Sequence, residues 1–352
     1  MQTDNARSST FYSRTLIATV AAAALLCGSV FPTQAEILVK NGQTVAFMGD
    51  SITQGGWGSP GGYVRLVLAG LEANGVKVTP VPAGISGHKS DQMLARLKKD
   101  ALDKKPDWMT LSCGVNDVWH GARGIPLDQY KTNITTILDQ CAAAGTKVVV
   151  LTATVIGEEL ETENNKQLET YNDFLRTLAK ERKAPLADLY TQFATALKAH
   201  PNTTGKPGRA LTSDGVHMAP AGDQLMARGV LQAFGLDAGQ IKKAEASWQE
   251  IPGAGSVRVR FDAGQGKAFQ ATAKLSLRQR EQLTAHAVKD GKSLDAVLSA
   301  AYAEEVKALL KPGAAFETAA AAFEAKKNNE VQGQLQEKFN QRVEALLALL
   351  KH

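Results

Sequence analysis

The sequence predicts an α/β protein of three layers, in which helices cover both faces of a mainly parallel central sheet, with a mostly helical C-terminal extension. From Glu36 to about residue 235, short apolar runs alternate with longer segments of helical period, which is typical of a parallel sheet. After about residue 245 this alternation ends. The chain of 352 residues is long enough for one such domain and an appendage. We therefore expect an α/β domain over residues 36–245 and an extension over residues 246–352.

Six short apolar runs are the predicted strands, at residues 37–40, 45–48, 76–81, 109–112, 147–152 and 185–189. Four segments of helical period lie between them, at residues 63–75, 90–102, 127–145 and 168–182. Asn74-Gly75 and Gly145 are typical helix stops, and Ser90-Asp91 is a typical helix start. Ligands of such sheets gather beyond the carboxyl ends of the strands, so residues that follow the strands are the first candidates for a site.

The extension begins with a hairpin pattern at residues 253–277, in which two short strands flank a Gly-rich turn, and continues as helices from Ser276. Ser293 is a predicted N-cap, Pro312-Gly313 is a break, and the Ala-rich residues 314–325 are expected to bridge the helices on either side. Two stripes of apolar residues recur at helical spacing: Leu294, Val297, Leu298, Ala301, Tyr302, Val306, Leu309 and Leu310, and then Val331, Leu335, Phe339, Val343, Leu346 and Leu350. The stripes predict packing surfaces rather than a cofactor site.

The first 35 residues have the layout of a secretory signal. Arg7 and Arg14 form a basic start, an apolar stretch follows at residues 16–31, and a small residue, Ala35, precedes Glu36. The apolar stretch is shorter than the roughly 20 residues that span a bilayer, which argues against a membrane anchor. We expect cleavage after Ala35 and export to the periplasm or the extracellular space. Lipidation at Cys27 is disfavoured, because Leu25 and Leu26 stand where small residues are expected.

Charge and cysteine content exclude two other classes of protein. Without residues 1–35 the formal net charge falls from +5 to +4, since two Arg and one Asp are lost. No basic run is interleaved with aromatic residues, so the sequence does not predict nucleic-acid binding. Cys113 and Cys141 then remain, too few for a disulfide-dependent scaffold. An exported protein could pair them, but we expect buried free thiols, since Cys113 lies at a predicted strand end and Cys141 on a predicted helix.

The stretch VAFMGDSITQGGWG at residues 45–58 places Ser51 at the end of a predicted strand, before a glycine-rich loop. Gly-Asp-Ser is ordinary turn chemistry, because Gly tolerates positive φ and Asp and Ser bond to nearby backbone. The alternative is that Ser51 is a nucleophile presented on a tight corner. A serine hydroxyl needs an adjacent base for that role, so its partners decide between the two readings.

Among six histidines, His217 has a carboxylate at short range in a setting that would orient its ring. The stretch LTSDGVHMAPAG at residues 211–222 places Asp214 three residues before His217, and Pro220 opens the next predicted helix. Such a loop can fold the carboxylate onto one ring nitrogen and leave the other nitrogen free for a hydroxyl. The alternative is a capping loop whose histidine only packs.

Two further strand ends offer donors for the negative charge that develops on a carbonyl oxygen during acyl transfer. PAGISG at residues 82–87 contains Gly84, whose bare backbone N–H could approach a substrate closely. SCGVNDVWHG at residues 112–121 contains Asn116, whose amide could donate. A glycine turn and an Asn-Asp turn are the alternatives.

Together these four segments resemble the blocks of the SGNH (GDSL-type) hydrolase family, in order and spacing. The matching segments are GDSI (49–52), AGISG (83–87), GVND (114–117) and DGVH (214–217). The resemblance covers residues 43–235 and implies a flavodoxin-like fold over the domain at 36–245. Two positions depart from the family pattern. Ile52 replaces leucine, and Pro82 stands where an asparagine is frequent, which removes a group that would brace the loop of Gly84.

The resemblance also implies the roles of the site residues. Ser51 is the nucleophile, His217 is the base and Asp214 orients the base. The backbone N–H groups of Ser51 and Gly84 and the side chain of Asn116 form the oxyanion hole. This mechanism requires no metal and no cofactor.

The sequence indicates the substrate class less directly than it indicates the catalytic residues. Asp50, Trp57, Trp119 and His120 lie beside the blocks and are candidate substrate-binding residues; aromatic side chains there could stack on sugars or simply be packed. An exported enzyme without a long apolar lid suits an ester of a short acyl group, such as acetyl on a glycan. The alternatives are a lipase or thioesterase of the same family, or a catalytically silent scaffold that presents its helical tail to a partner. The sequence gives no oligomeric state.

Overall fold

The structure is a computed structural model that describes residues 36–199, 210–264, 267–309 and 328–350. The expected signal segment with Cys27 and Ala35, the break at Pro312-Gly313 and the Ala-rich bridge lie outside the described residues. Residues 36–352 group as one compact unit.

A parallel five-stranded sheet forms the centre of this unit, as predicted. Its strands are β1 (Thr44–Gly49), β2 (Thr79–Gly84), β3 (Trp108–Ser112), β4 (Lys147–Leu151) and β5 (Leu186–Ala187). Their order is β2-β1-β3-β4-β5, and every neighbouring pair is parallel. The order reverses at β1, which lies between β2 and β3. In doubly wound sheets of this order, a crevice for ligands opens beyond the carboxyl ends of β1 and β3.

The predicted strand at residues 37–40 is wrong. These residues form bends before a turn, in which Gly42 has a φ of +83°. Ile37 and Val39 are buried, and the Leu38 N–H donates to the carbonyl of Phe234 at 2.8 Å. Residues 37–39 are therefore anchored beside the end of a neighbouring helix, and their two buried side chains mimic the alternation of a strand.

Strand β2 begins three residues later than predicted and lies at the edge of the sheet. The Thr79 N–H donates to the carbonyl of Gln43, the residue before β1. The Ile85 N–H donates to the carbonyl of Gly49, the last residue of β1. Because backbone groups alternate along a strand, the nitrogens of Pro80, Pro82 and Gly84 face away from β1. The prolines therefore interrupt no ladder hydrogen bond and blunt an exposed edge.

Twelve α-helices are described, two of them joined to short 3₁₀ turns. They are α1 (Ser51–Gly58), α2 (Tyr63–Ala73), α3 (Ser90–Asp100), α4 (Val115–Trp119), α5 (Leu127–Ala143), α6 (Glu163–Glu181), α7 (Leu189–Ala199), α8 (Pro220–Ala233), α9 (Ala238–Trp248), α10 (Leu277–Lys289), α11 (Leu294–Leu309) and α12 (Asn328–Leu349). Helices α2, α7, α8 and α9 pack together, as do α3, α5 and α6, so the sheet lies between two helical layers. Within the described part of the chain, no helix has the length and apolarity to cross a membrane.

Several predicted helix boundaries are confirmed by their local chemistry. Helix α2 ends at Ala73, and Gly75 follows with a φ of +84°. Pro220 occupies the first turn of α8, where its missing N–H has no intrahelical partner to lose. Ser276 caps α10 with a reciprocal bond to Gln279. Helices α7 and α9 were not predicted.

The extension has a small core of its own. Its hairpin consists of β6 (Val257–Gly264) and β7 (Lys267–Ala273), which are antiparallel. The two predicted stripes face each other between α11 and α12, where the rings of Tyr302 and Phe339 lie 5.2 Å apart. The predicted boundary at 245/246 remains a prediction, but Trp248, Ala254 and Leu277 pack in the larger core with the sheet.

Cys113 and Cys141 are both buried free thiols, as predicted. Burial raises the pKa of Cys141 to about 12 and that of Cys113 well above its usual range. Neither thiol is therefore reactive at neutral pH.

Candidate active site

Ser51 is the first residue of α1, directly after the carboxyl end of β1. The glycine-rich stretch expected to be a loop is instead this helix. Asp50 is its N-cap, and the Asp50 carboxylate accepts a hydrogen bond from the Ile52 N–H at 2.9 Å. The Ser51 side chain thus stands at a strand-to-helix corner, next to backbone N–H groups that have no partner within the helix.

Ser51, His217 and Asp214 form a continuous hydrogen-bonded row. The Ser51 Oγ lies 2.9 Å from His217 Nε2, and His217 Nδ1 lies 2.6 Å from Asp214 Oδ2. The carboxylate accepts from Nδ1–H, so Nε2 carries the lone pair that faces the serine hydroxyl. This arrangement provides a hydroxyl, a base that can take its proton, and a carboxylate that fixes the ring tautomer.

The Asp214 carboxylate remains ionised beside the ring. Partial burial acts to raise the pKa of Asp214, but hydrogen bonds from the His217 ring and from the N–H groups of His217 and Val216 outweigh burial, and the pKa is lowered. The two backbone bonds are 2.8 and 3.0 Å long and both reach Oδ1, which leaves Oδ2 for the ring.

The loop of Asp214 and His217 is closed by its own backbone. Gly215 has a φ of +102°, a conformation that favours glycine and turns the chain back between the two side chains. The Ser213 N–H donates to the carbonyl of His217 at 2.7 Å, and Thr212 and Met218 form an antiparallel bridge. The Gly157 N–H donates to the carbonyl of Gly215 at 2.7 Å, which ties the loop to the segment after β4.

A carboxylate from the same segment holds the start of this loop. Glu158 Oε1 accepts from the N–H groups of Leu211 and Thr212 at 2.8 and 2.7 Å and from the Thr212 hydroxyl at 2.8 Å. Glu158 Oε2 accepts from the Ala210 N–H at 2.6 Å. Sequence reasoning missed Glu158, since nothing in its local pattern indicates a partner more than 50 residues away.

Asn116 lies at the start of α4, after β3, as the strand-end argument requires. Its amide Nδ2 is 3.4 Å from Asp50 Oδ2 and 3.2 Å from the carbonyl of His88, and both contacts are long for hydrogen bonds. Asp50 and Asn116 are only 2% and 4% exposed. Burial raises the pKa of Asp50 to about 6. Asp50 is thus a buried neighbour of Ser51 rather than a residue of the cavity wall.

Gly84, at the end of β2, packs directly against the backbone of α1. A Cβ at this position would overlap the Gln54 nitrogen and lie 2.7 Å from the carbonyl carbon of Thr53. Arg96 supplies the brace that Pro82 cannot. Its guanidinium donates to the carbonyls of Ala83 and Gly49, both at 2.8 Å, and so ties together the ends of β2 and β1.

The aromatic candidates lie outside the residues that line the cavity at Ser51. Trp57 is half-buried, and the Arg65 guanidinium covers its ring at 3.5 Å. Trp119 is 46% exposed, and its ring lies 6.0 Å from that of His120. His120 Nδ1 contacts the carbonyl of Asn116 at 2.8 Å, so this ring is held near the third block.

A cavity of about 250 Å³ opens at the serine. Its walls come from α1, the histidine loop, the start of α8 and the segment before β6: Ser51, Ile52, Gly55, Gly56, Ser59, Gly61, His217, Met218, Pro220, Asp223, Gly253, Ala254 and Ser256. The last three residues belong to the predicted extension, which sequence reasoning left without a role at the site. Among the described residues, no group of three or more His, Cys, Asp or Glu side chains is arranged to hold a metal ion.

Asp223 is a titratable group of this cavity that sequence reasoning also missed. Its Oδ1 accepts from the Tyr63 N–H at 2.8 Å and so caps α2 from α8. Burial raises the pKa of Asp223 to about 7, although the bond from Tyr63 opposes this shift. The two helices that flank the serine and the histidine are joined at this carboxyl.

Comparison with known proteins finds esterases that are similar to this chain in sequence and in fold. An acetylxylan esterase from Geobacillus stearothermophilus is 27% identical over 220 residues, which are 56% of this chain and 97% of that protein. The solved structure of Axe2, an acetylxylan esterase from the same organism, aligns with a TM-score of 0.51 at 24% identity, over 57% of this chain and 97% of that one, and shows a shared fold. The solved acetyl xylan esterase AlAXEase aligns with a TM-score of 0.50 at 30% identity, over 54% of this chain and 98% of that one.

The family comparison covers the same part of the chain. A sequence model of the GDSL-like lipase/acylhydrolase family matches residues 47–225, which contain Ser51, Gly84, Asn116, Asp214 and His217. The chain therefore belongs to the GDSL-like lipase/acylhydrolase family and is a carboxylic ester hydrolase.

Proposed function

We propose that this hydrolase is an exported serine esterase that removes short acyl groups, above all acetyl, from carbohydrate. The observation that carries the proposal is the row of hydrogen bonds from Ser51 through His217 to Asp214. The names of the relatives, acetylxylan esterases, support acetyl on a glycan as the ester. A cavity of about 250 Å³ at the serine supports a short acyl group, since a long chain would need more room.

The proposed reaction begins with attack of the Ser51 Oγ on the ester carbonyl, while His217 Nε2 takes the hydroxyl proton. Asp214 holds the ring and stabilises the imidazolium. The N–H groups of Ser51 and Gly84 and the amide of Asn116 would donate to the oxyanion. Because both contacts of the Asn116 amide are long, the amide can turn to the substrate at small cost. His217 then protonates the leaving alcohol, and it activates the water that releases the acyl group from Ser51.

Ser51→Ala tests the nucleophile. We expect hydrolysis of p-nitrophenyl acetate by the purified chain to fall by about 10³-fold or more, because the acyl-enzyme cannot form. Ser247→Ala is the matched control, since Ser247 lies on α9 and its hydroxyl bonds only to the carbonyl of Ala244. Equal rates for Ser51→Ala and the parent would contradict the proposal and favour the silent scaffold.

The acyl preference has its own test. Across p-nitrophenyl acetate, butyrate and octanoate, we expect kcat/KM to fall with chain length. Acetylated xylo-oligosaccharides should release acetate. A maximum at octanoate would instead favour the lipase or thioesterase alternative.

Export is proposed from the N-terminal sequence. The chain expressed with its first 35 residues should leave the cytoplasm and begin at Glu36 when its terminus is sequenced. Retention of residues 1–35 in the mature protein would overturn this part of the proposal.

A further inference from the structure

A second and larger groove adjoins the cavity at Ser51. It encloses about 1020 Å³ and shares Gly55, Ser59, Gly253 and Ser256 with the smaller cavity. Pockets that hold drug-sized ligands measure about 300–1,000 Å³, so this groove has room for several sugar rings. Because the two spaces share walls, a molecule in the groove would lie beside the serine.

One wall of the groove lies beyond the family match, which ends at residue 225. Gly55 and residues 58–60, at and after the end of α1, form one side, and the extension forms the other with residues from 250–258 and 272–279. The segment around Ala254 packs closely against the domain, because a Cβ at Gly61 would lie only 2.2 Å from the carbonyl oxygen of Ala254 and Ala254 is itself buried. The extension is thus built into this side of the active-site cleft.

The hairpin turns a polar face to the groove. Strand alternation buries Val257, Val259 and Ala273 in the small core of the extension. Arg258 and Thr272 are cross-strand partners on the opposite face, where Lys274 also lies, and all three line the groove. Hydroxyl and amide groups of Ser59, Ser256 and Gln279 line it as well, which suits a polyhydroxylated ligand.

The charge of the groove is positive. Its lining contains one carboxylate, Glu250, and that carboxylate is ion-paired with Arg278. Among the residues that the structure describes, no carboxylate is paired with Arg258 or Lys274. Two cations are therefore available to a ligand, and cations over a polar floor favour an anionic chain.

We infer that this groove binds the glycan part of the substrate and selects chains that carry carboxylates, such as uronic acid residues. The inference rests on the proposed function, since it assigns the acyl group to the cavity at Ser51 and the sugar chain to the groove. Arg258 and Lys274 contact the carboxylates, and the hydroxyl-bearing side chains contact the sugar hydroxyls. The extension is then a substrate-selecting part of the enzyme.

Calorimetric titration of the full-length Ser51→Ala chain tests binding without turnover. The probes are hexagalacturonate, which carries carboxylates, and xylohexaose, which is neutral. We expect hexagalacturonate to bind at least tenfold more tightly at 50 mM salt, and this advantage to shrink at 500 mM salt, because salt screens exposed charges. Equal affinities for the two probes would overturn the inference.

Charge reversal locates the binding surface. Adding Arg258→Glu and Lys274→Glu to Ser51→Ala should weaken hexagalacturonate binding at least tenfold and change xylohexaose binding by less than threefold. Lys242→Glu with Lys243→Glu is the matched control, because both side chains are exposed on α9 and neither lines the groove. An equal loss in the control, or no loss in the double variant, would refute the assignment. Thermal melts of the variants exclude unfolding as the cause, since both substituted side chains are exposed.

Turnover separates this inference from the proposed function. Preference is measured in the active enzyme as the ratio of two kcat/KM values, one for acetylated oligosaccharides with glucuronic acid and one for neutral acetylated oligosaccharides. We expect the double variant to lower this ratio at least tenfold. If the parent hydrolyses esters and this ratio does not move, the groove inference alone fails. If the parent hydrolyses no ester, the proposed function fails, whereas calorimetry still reports on the groove.

Discussion

Glu158 provides the sharpest test of how the histidine loop is held. Its carboxylate accepts four hydrogen bonds from residues 210–212, immediately before Asp214, and does not itself contact Ser51 or His217. Glu158→Ala removes both acceptor oxygens, and with them all four hydrogen bonds, and adds no new group. The loop would then depend on the bond from Gly157 and on its own closure at Thr212 and Met218.

The expected cost follows from the burial of the donors. The N–H of Ala210 is exposed, so water replaces the carboxylate there. The residues Leu211 and Thr212 are buried, and each of their N–H groups loses a bond to a charged group at a cost of about 1.5 kcal/mol, the lower end of the range because the bonds themselves are only partly buried. The total of about 3 kcal/mol lowers the equilibrium constant for the ordered loop about 150-fold, at 1.36 kcal/mol per tenfold.

The assay is steady-state hydrolysis of p-nitrophenyl acetate. We expect kcat to fall by up to this factor while KM changes little, because in the proposed mechanism Glu158 holds the loop of His217 and lies outside the residues that line the cavity. Glu158→Gln retains one oxygen and should fall between the parent and Glu158→Ala. Glu159→Ala is the matched control, because Glu159 is an exposed neighbour whose described contact is made by its backbone carbonyl. A lowered melting temperature with unchanged kcat would refute the positioning role.

Three further predictions address packing and charge. Gly84→Ala forces a Cβ into the backbone of α1 and should destabilise the chain by about 1–3 kcal/mol in urea unfolding. Gly333 has open space around it on α12, so Gly333→Ala should stabilise the chain by about 0.5–1 kcal/mol. Equal effects of the two substitutions would contradict the clash at Gly84. Burial raises the pKa of Asp50 from 3.8 to about 6. Between about pH 4 and pH 6 the folded chain therefore holds a proton that the unfolded chain has released, and the free energy of unfolding falls as pH rises through that window. Asp50→Asn lacks this titration and should gain about 3 kcal/mol relative to the parent between pH 4 and 7, and a difference that does not change with pH would refute the burial argument. Trp248→Ala removes a fully buried ring whose Nε1–H donates to a carbonyl of α2, and it should lower the free energy of unfolding by about 3–5 kcal/mol. Trp119→Ala, at an exposed position, should lower it by under about 1 kcal/mol. Similar melting temperatures for the two variants would show that the chain beyond residue 245 does not complete the main core.

The parts of the site that sequence could predict are those fixed by local chemistry and by the geometry of parallel sheets. Ser51 and Asn116 follow strands and Gly84 ends one, and parallel strands bring their carboxyl ends to one edge. Asp214 and His217 are three residues apart across a glycine, so one turn is enough to join them. These positions required no knowledge of distant contacts.

The missed features depend on contacts between distant segments. The glycines after Ser51 predicted a loop, but packing overrides propensity there, since a Cβ at Gly56 would lie 2.5 Å from the Tyr63 ring and only glycine lets α1 approach α2. Arg96 and Glu158 act through backbone carbonyls and N–H groups of remote segments, and no sequence pattern encodes those partners. The strand prediction at residues 37–40 was wrong for a related reason. Two buried side chains beside a helix give the same alternation of buried and exposed residues as a strand.

The exposure of the site suggests how a polymer would reach it. The side chains of His217 and Asp214 are 40% and 52% exposed, whereas Asp50, next to Ser51 in the sequence, and its neighbour Asn116 are buried. An ester bound at Ser51 would direct its oxyanion to the buried side and its alcohol to the open side, because His217 must protonate the leaving oxygen. In the proposed function the alcohol is the part that continues into a glycan chain, and the groove beside the hairpin shares Gly253 and Ser256 with the serine cavity. A short acyl group in the small cavity and a long alcohol in the open groove are therefore the division of the substrate that the proposed function predicts.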